Sequence, residues 1–179
     1  MRTSRMKKFR FLLLDAGPII KLFSLGIWDD FIKHCDVSMS RIIADNEALY
    51  TEDGTRRIDL KTYEEQGLLK ILDVETSTVK IFHDKFDRLY KVDIHPGEKE
   101  TLAFLCDSVD NWLVCSADGA VFRVLGLLGK ANQGISLQEI LQRIGLSVSE
   151  KLEWKYTKAF CEKWSRRGQI DSIQDIGLI

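Results

Sequence analysis

Asp15, Glu47, Glu98 and Asp118 are the residues of this chain whose types and settings suit shared chemistry. Asp15 closes a short apolar run, Phe9–Leu14, and is followed by Gly17 and Pro18. Asp118 follows a second run, Trp112–Ser116, and precedes Gly119. Glu98 stands in the first turn of an apolar helix over Gly97–Cys106, and Glu47 lies in a helix after a short strand, with Asp45 as the alternative inward acid. Singly, each acid has a plainer role as a helix N-cap, a first-turn acid or a solvated side chain. Together they would repel, and at least one would keep a proton unless a cation neutralised them. Oxygen-only donors point to Mg²⁺ or Mn²⁺ rather than zinc. One or two such ions lower the pKa of a water and offset the charge that grows during phosphodiester hydrolysis. Ser116, two residues before Asp118, is a further water or phosphate contact, and Thr101 is a weaker one.

The elements that must position these acids alternate. Phe9–Leu14 reads as a buried strand, and Pro18 to Leu25, stopped by Gly26, as a helix. Trp28–His34 reads as a helix, Cys35–Met39 as a short strand, and the stretch opened by Ser40, with Ile42, Ile43 and Leu49 as its stripe, as another helix. Asp53-Gly54 signals a hairpin turn. Leu68–Val74 is a strand, Val79–Tyr90 a helix and Asp93–Pro96 a loop. Trp112–Ser116 is a strand, Ala120–Leu128 a helix, and Ser136–Ile144 a helix with the capping pair Ser136 and Glu139. Ser149–Arg167 reads as the longest helix, with Leu152, Tyr156, Phe160 and Trp164 as its inner stripe and Gly168 as its stop. The tail after it suggests a short edge element. Strand–helix alternation implies an α/β chain with a central, mostly parallel sheet between two helical layers. In such sheets the carboxyl ends of strands and the starts of helices share one edge, so the four acids can converge.

At 179 residues the chain is expected to form one domain able to bury roughly 70% of its unfolded surface. Its 26 basic and 27 acidic residues leave a net charge of −1, which argues against a general polyanion binder but leaves room for local basic patches. The basic residues Arg2, Arg5, Lys7, Lys8 and Arg10, and the lysines and arginines of Lys151–Arg167, are such patches. Cys35, Cys106, Cys115 and Cys161 form no C-x-x-C pair and fit buried free thiols in a reducing compartment. The opening mimics a signal peptide, but Asp15 and Pro18 interrupt its apolar part, and no run reaches membrane-spanning length. A cytoplasmic protein is expected. His34, His83 and His95 show no metal spacing, there is no glycine-rich phosphate loop or nucleophile elbow, and Asp15-Ala16-Gly17 lacks the second Asp of a haloacid-dehalogenase-type phosphatase.

Three stretches resemble the PIN-domain ribonucleases. LLLDAGPIIKL resembles their opening motif, GEKETLAFL their second-half helix, and VCSADGAVFRVL their third motif. The resemblance covers residues 9–145, with an inserted segment at about 50–90, a basic arm at 1–8 and a helical extension at 146–179. It implies that Asp15, Glu98, Asp118 and Glu47 bind Mg²⁺ or Mn²⁺ and that the substrate is RNA. Members include toxins of toxin–antitoxin pairs, so an antitoxin protein and a homodimer are the partners it implies. The family's further acid has no counterpart at Gly119 or Phe122, so a catalytically silent RNA- or protein-binding module stands as the alternative.

Overall fold

The computed structural model describes residues 9–179, and the basic arm expected at 1–8 lies outside them. Four strands, β1 (Phe9–Leu14), β2 (Cys35–Ser40), β3 (Leu69–Leu72) and β4 (Leu113–Cys115), pair in parallel in the order β3-β2-β1-β4. The helices in chain order are α1 (Ala16–Ser24), α2 (Trp28–Ile32), α3 (Leu60–Glu65), α4 (Thr76–His83), α5 (Arg88–Asp93), α6 (Pro96–Asp107), α7 (Gly119–Leu127), α8 (Leu137–Ile144) and α9 (Lys158–Ile173).

Successive residues of a strand face opposite sides of its sheet. Leu12 and Leu14 accordingly share one core with Ile19 and Leu22 of α1, Phe31 of α2 and Ile140 of α8. Leu13 joins the other core with Phe82 of α4, Leu102 of α6, Phe122 of α7 and Phe160 of α9. Helices therefore cover both faces, the α/β/α arrangement that a parallel sheet requires. The chain moves from β1 through β2 to β3 on one side, then returns to place β4 on the other side of β1. The switch point lies between β1 and β4, where the strand ends open a crevice. No helix among the described residues is long and apolar enough to cross a membrane. Cys35, Cys106, Cys115 and Cys161 are in no disulfide.

Several sequence expectations are corrected. The amino half of β1 is not covered on both faces: Arg10 and Phe11 are exposed, Phe11 takes a φ of +55°, and the pairing with β2 shifts register between Phe9 and Leu12. The helix expected over Val79–Tyr90 breaks into α4 and α5. Asp87 caps α5 by accepting from Tyr90 N–H at 3.1 Å, while its own N–H donates to Gly177 O at 2.8 Å and Ile179 N–H donates to Lys85 O at 2.9 Å. The expected tail element is thus a bridge between Phe86 and Leu178, away from the sheet. The hairpin at Asp53-Gly54 narrows to one bridge, Tyr50 with Arg57, with Gly54 at φ +71°.

The largest correction concerns Ser149–Arg167. The helix starts only at Lys158, where Thr157 caps it by accepting from Phe160 N–H at 3.4 Å. Tyr156 and Leu152 pack on the α1 side of the sheet, and Phe160 and Trp164 on the α7 side, so the four-residue stripe is divided between the two cores. Gly168 does not stop the helix. It lies inside α9, where a Cβ would stand 1.8 Å from Arg123 O of α7, and a Cβ on Gly126 would stand 2.0 Å from Ser165 O. The two glycines let the α7 and α9 backbones meet. Asp171 of α9 locks the crossing, accepting from Tyr90 Oη at 2.6 Å and from Arg123 Nε at 2.8 Å.

Candidate metal centre

The crevice between β1 and β4 begins with backbone pairing. Leu14 stands opposite Cys115, and Asp15 N–H donates to Cys115 O at 3.0 Å. Asp15 then caps α1 by accepting from Ala16 N–H at 2.8 Å on Oδ1. Its Oδ2 accepts the Ser116 hydroxyl at 2.6 Å, and Ser116 Oγ in turn accepts Asp118 N–H at 3.0 Å. Asp118 caps α7, accepting from Ala120 N–H at 2.8 Å. The Asp-capped starts of α1 and α7 are thereby joined through one buried hydroxyl. Gly17 permits the closeness, because a Cβ there would lie 2.8 Å from Ala117 Cβ.

Glu98 arrives from α6, whose start is set by Pro96 at its first position, a place that lacks an N–H partner in any helix. Glu98 Oε2 accepts from His95 N–H at 2.9 Å, the reverse half of a capping box. Glu47 arrives from the residues after β2. Instead of the regular helix expected there, Ile43–Glu47 form a π-helical turn, a wide turn frequent at functional positions. The turn points Glu47 at the start of α6, where its Oε1 accepts from Gly97 N–H at 3.1 Å. Asp45 faces outward, 3.8 Å from Arg41, so Glu47 and not Asp45 is the inward acid.

All four acids line one cleft of about 290 Å³, together with Ala16, Gly17, His95, Ala117 and Lys155. Asp15 and Glu98 are 6% and 4% exposed. Burial pushes the Asp15 carboxyl up to about 6, against the hydrogen bonds from Ser116 and Ala16, and Glu47 and Asp118 add repulsion. Burial, then the charge of Asp15, raises the Glu98 carboxyl too. The protein itself supplies too little positive charge for these acids. Ser116 is where the sequence placed it, with its hydroxyl engaged by Asp15 and Asp118. Thr101 is buried and donates to Gly97 O at 2.9 Å, so it does not face the cleft as a ligand.

His95 shows no metal spacing in the sequence, yet its Nδ1 lies 3.6 Å from Glu98 Oε1 and 3.7 Å from Asp118 Oδ2. Ligand atoms of His95, Glu98 and Asp118 all fall within 4.8 Å of one another, close enough to share an ion. The signal was present in HPGE: Pro96 at the first helical position puts His95 at the N-cap, over the Glu98 it caps with. Lys155, which the sequence places in the basic patch over Lys151–Arg167, borders the cleft. No protein-family model matches this chain, and no curated protein and no solved structure shows significant similarity to it.

Proposed function

We propose that the chain is a divalent-metal-dependent hydrolase of RNA phosphodiester bonds, working in the cytoplasm. The observation that carries the reading is the gathering of Asp15, Glu47, Glu98 and Asp118, from four separate segments, into one cleft at the switch point of the sheet. The donor set is carboxylate oxygen with one imidazole nitrogen, which suits Mn²⁺ or Mg²⁺. The raised Asp15 and Glu98 carboxyls are what a cation site looks like when only the protein's own charges are counted. Asp15, Glu98, Asp118 and Glu47 would hold the ion, with His95 at the rim. Bound there, it would supply the positive charge that eases ionisation of a water and offsets charge growing on phosphorus.

The chain's own groups do the positioning. Ser116 and the Ala16 N–H fix both oxygens of Asp15, and the Gly97 N–H fixes Glu47. His95 Nδ1 stands between Glu98 and Asp118, at the rim of the donor set. The resemblance to PIN ribonucleases supplies RNA as the substrate.

The test is cleavage of RNA with Mn²⁺ or Mg²⁺ by wild type and by Asp15→Asn. Metal-dependent cleavage lost in the variant is expected; equal activity in both, or none in wild type, sinks the reading. One observation favours the silent binding module instead: the Trp164 ring covers Gly119, where a Cβ would meet it at 2.5 Å, so no further acid fits there. Failure of Mn²⁺ to raise the unfolding temperature would select that alternative.

A further inference from the structure

Lys21 lies in α1, the helix that Asp15 caps, and is 3% exposed although it carries a charge. Its Nζ donates to Glu52 Oε2 and to Glu153 Oε1, each at 3.2 Å, and stands 5.9 Å from the centroid of the Tyr156 ring. Burial by itself pushes such an ammonium toward its neutral form. The hydrogen bonds to Glu153 and Glu52, and the charges of both, outweigh burial and hold the lysine above its ordinary pKa. Lys21 is therefore a charged pin between two acids that are far apart in the sequence.

The two acids belong to segments that reach the acid cleft. Glu52 is in the hairpin that follows Glu47, where Thr51 N–H donates to Arg56 O at 2.9 Å and Ile58 N–H to Leu49 O at 2.8 Å. The hairpin rests on the end of α1, with Glu52 N–H donating to Ser24 Oγ at 2.9 Å and Arg56 Nη2 to Phe23 O at 2.9 Å. Glu153 opens a 3-10 turn over Trp154–Tyr156, and Tyr156 donates its hydroxyl to Gly17 O at 3.3 Å. Lys155, inside that turn, lines the acid cleft, as does Glu47. Without the ammonium, two carboxylates would face one buried point with no cation between them. Breaking a buried pair by removing one partner leaves uncompensated charge, and like charges drive apart the segments that carry them.

We propose that Lys21 is a positioning residue of the acid centre: one buried ammonium ties the hairpin behind Glu47 and the turn that carries Lys155 to α1, so that the two sides of the cleft are set together. The proposal rests on the metal-hydrolase reading for what the cleft does, and on the Lys21 contacts alone for the coupling.

The test has two arms, amide hydrogen exchange and Mn²⁺ binding by calorimetry, in wild type and in Lys21→Met. Exchange at Thr51 and Ile58 in the hairpin and at Tyr156 and Thr157 after the turn should quicken together in the variant, relative to amides of the sheet. Glu153→Ala should quicken the second pair alone. Reading each against the sheet separates local loosening from a general loss of stability. Lys21→Met should weaken Mn²⁺ binding roughly tenfold, as loss of a supporting contact does. Removal of a nearby positive charge would by itself tighten a cation, so weaker binding is not an effect of charge alone. Adding Glu52→Gln and Glu153→Gln to Lys21→Met removes the repulsion and should recover part of the affinity. Unchanged exchange at either pair of amides in Lys21→Met would overturn the coupling. Mn²⁺ binding as tight as in wild type, or tighter, would overturn the positioning role. Wild type that binds no Mn²⁺ while the two pairs of amides still quicken together would support the coupling and overturn the hydrolase reading.

Discussion

Gly97 and Glu47 are made for each other's closeness: the Gly97 N–H donates to Glu47 Oε1 at 3.1 Å, and a Cβ on Gly97 would stand 2.5 Å from Glu47 Oε2. Glycine is needed here for space, not for a left-handed backbone. Gly97→Ala should therefore displace Glu47 from the cleft. Because the Cβ also meets Ile43 Cγ1 at 2.7 Å, a stability loss of about 1–3 kcal/mol is expected. The diagnostic outcome is a loss of the Mn²⁺-induced rise in unfolding temperature that exceeds the loss in a control of equal destabilisation. A variant that keeps the full Mn²⁺ effect would show that Glu47 is not a ligand.

Ser116 is 1% exposed and serves two acids at once. Ser116→Ala leaves the Asp118 N–H without its acceptor and Asp15 Oδ2 without its donor. An unsatisfied buried polar group costs about 1–3 kcal/mol, so chemical denaturation should show a loss of that order. Ser116→Thr keeps the hydroxyl and should recover much of it if the added methyl is accommodated.

The pH dependence has a definite sign. The Asp15 carboxyl rises from its ordinary 3.8 to about 6 on folding, chiefly through burial, so the folded chain holds a proton that the unfolded chain releases. Metal-free protein should therefore lose stability as pH rises from about 4 to about 6, by an amount on the order of 1–3 kcal/mol from this group. Asp171 works in the opposite sense. Burial acts to raise its carboxyl, but the hydrogen bonds from Tyr90 and Arg123 and the nearby arginine charges outweigh that and hold it low, so its contribution disappears as pH falls through the acid range. In EDTA near neutral pH, Asp15→Asn should unfold at a higher temperature than wild type, yet lose the stabilisation by Mn²⁺. Wild type should release protons on binding Mn²⁺, measurable by calorimetry in buffers of different ionisation enthalpy. Proton-free binding at pH 6 would contradict the assignment of Asp15 as a ligand.

Gly168→Ala tests the crossing of α7 and α9. Its Cβ would lie 1.8 Å from Arg123 O and 2.7 Å from Leu127 N, backbone atoms with no rotamer to change. A cost at or above about 3 kcal/mol is expected, read as a large fall in the unfolding midpoint. A small change would mean that the helices can separate without cost.

The parts of the fold that were legible were those with one dominant local cause. The buried carboxyl half of β1 and the strand β4 each lead into an Asp that caps a helix, and both Asp residues stand where the sequence put them, because a run of apolar residues and a capping acid are local signals. Ser136, Glu139 and Gly145 bound α8 for the same reason. Positions settled by distant partners were not legible. Asp87 and Phe86 break the expected helix because residues 177–179 come back to them. The spacing of Leu152, Tyr156, Phe160 and Trp164 matches a helix, but the first two serve a different core from the last two. Glu47 was legible as an acid near the right place, while the π-helical turn that aims it depends on contact with Gly97, fifty residues on. His95 was within reach of sequence reasoning, from the Pro96 beside it. Lys155 was not, since its place depends on the Glu153–Lys21 and Tyr156–Gly17 contacts.

The clasp of α9 on α7 also bears on synthesis. Every acid of the cleft is made by residue 118, but the helix that Asp118 caps lies against Ser165 and Gly168. Chains emerge from the ribosome amino end first and fold as their partners become available. A nascent chain would hold all four carboxylates long before it could fix them, and the centre would assemble only after α9 had left the tunnel. If the chain is the RNA hydrolase proposed above, it should stay inert toward nearby RNA, its own message included, until α9 has emerged.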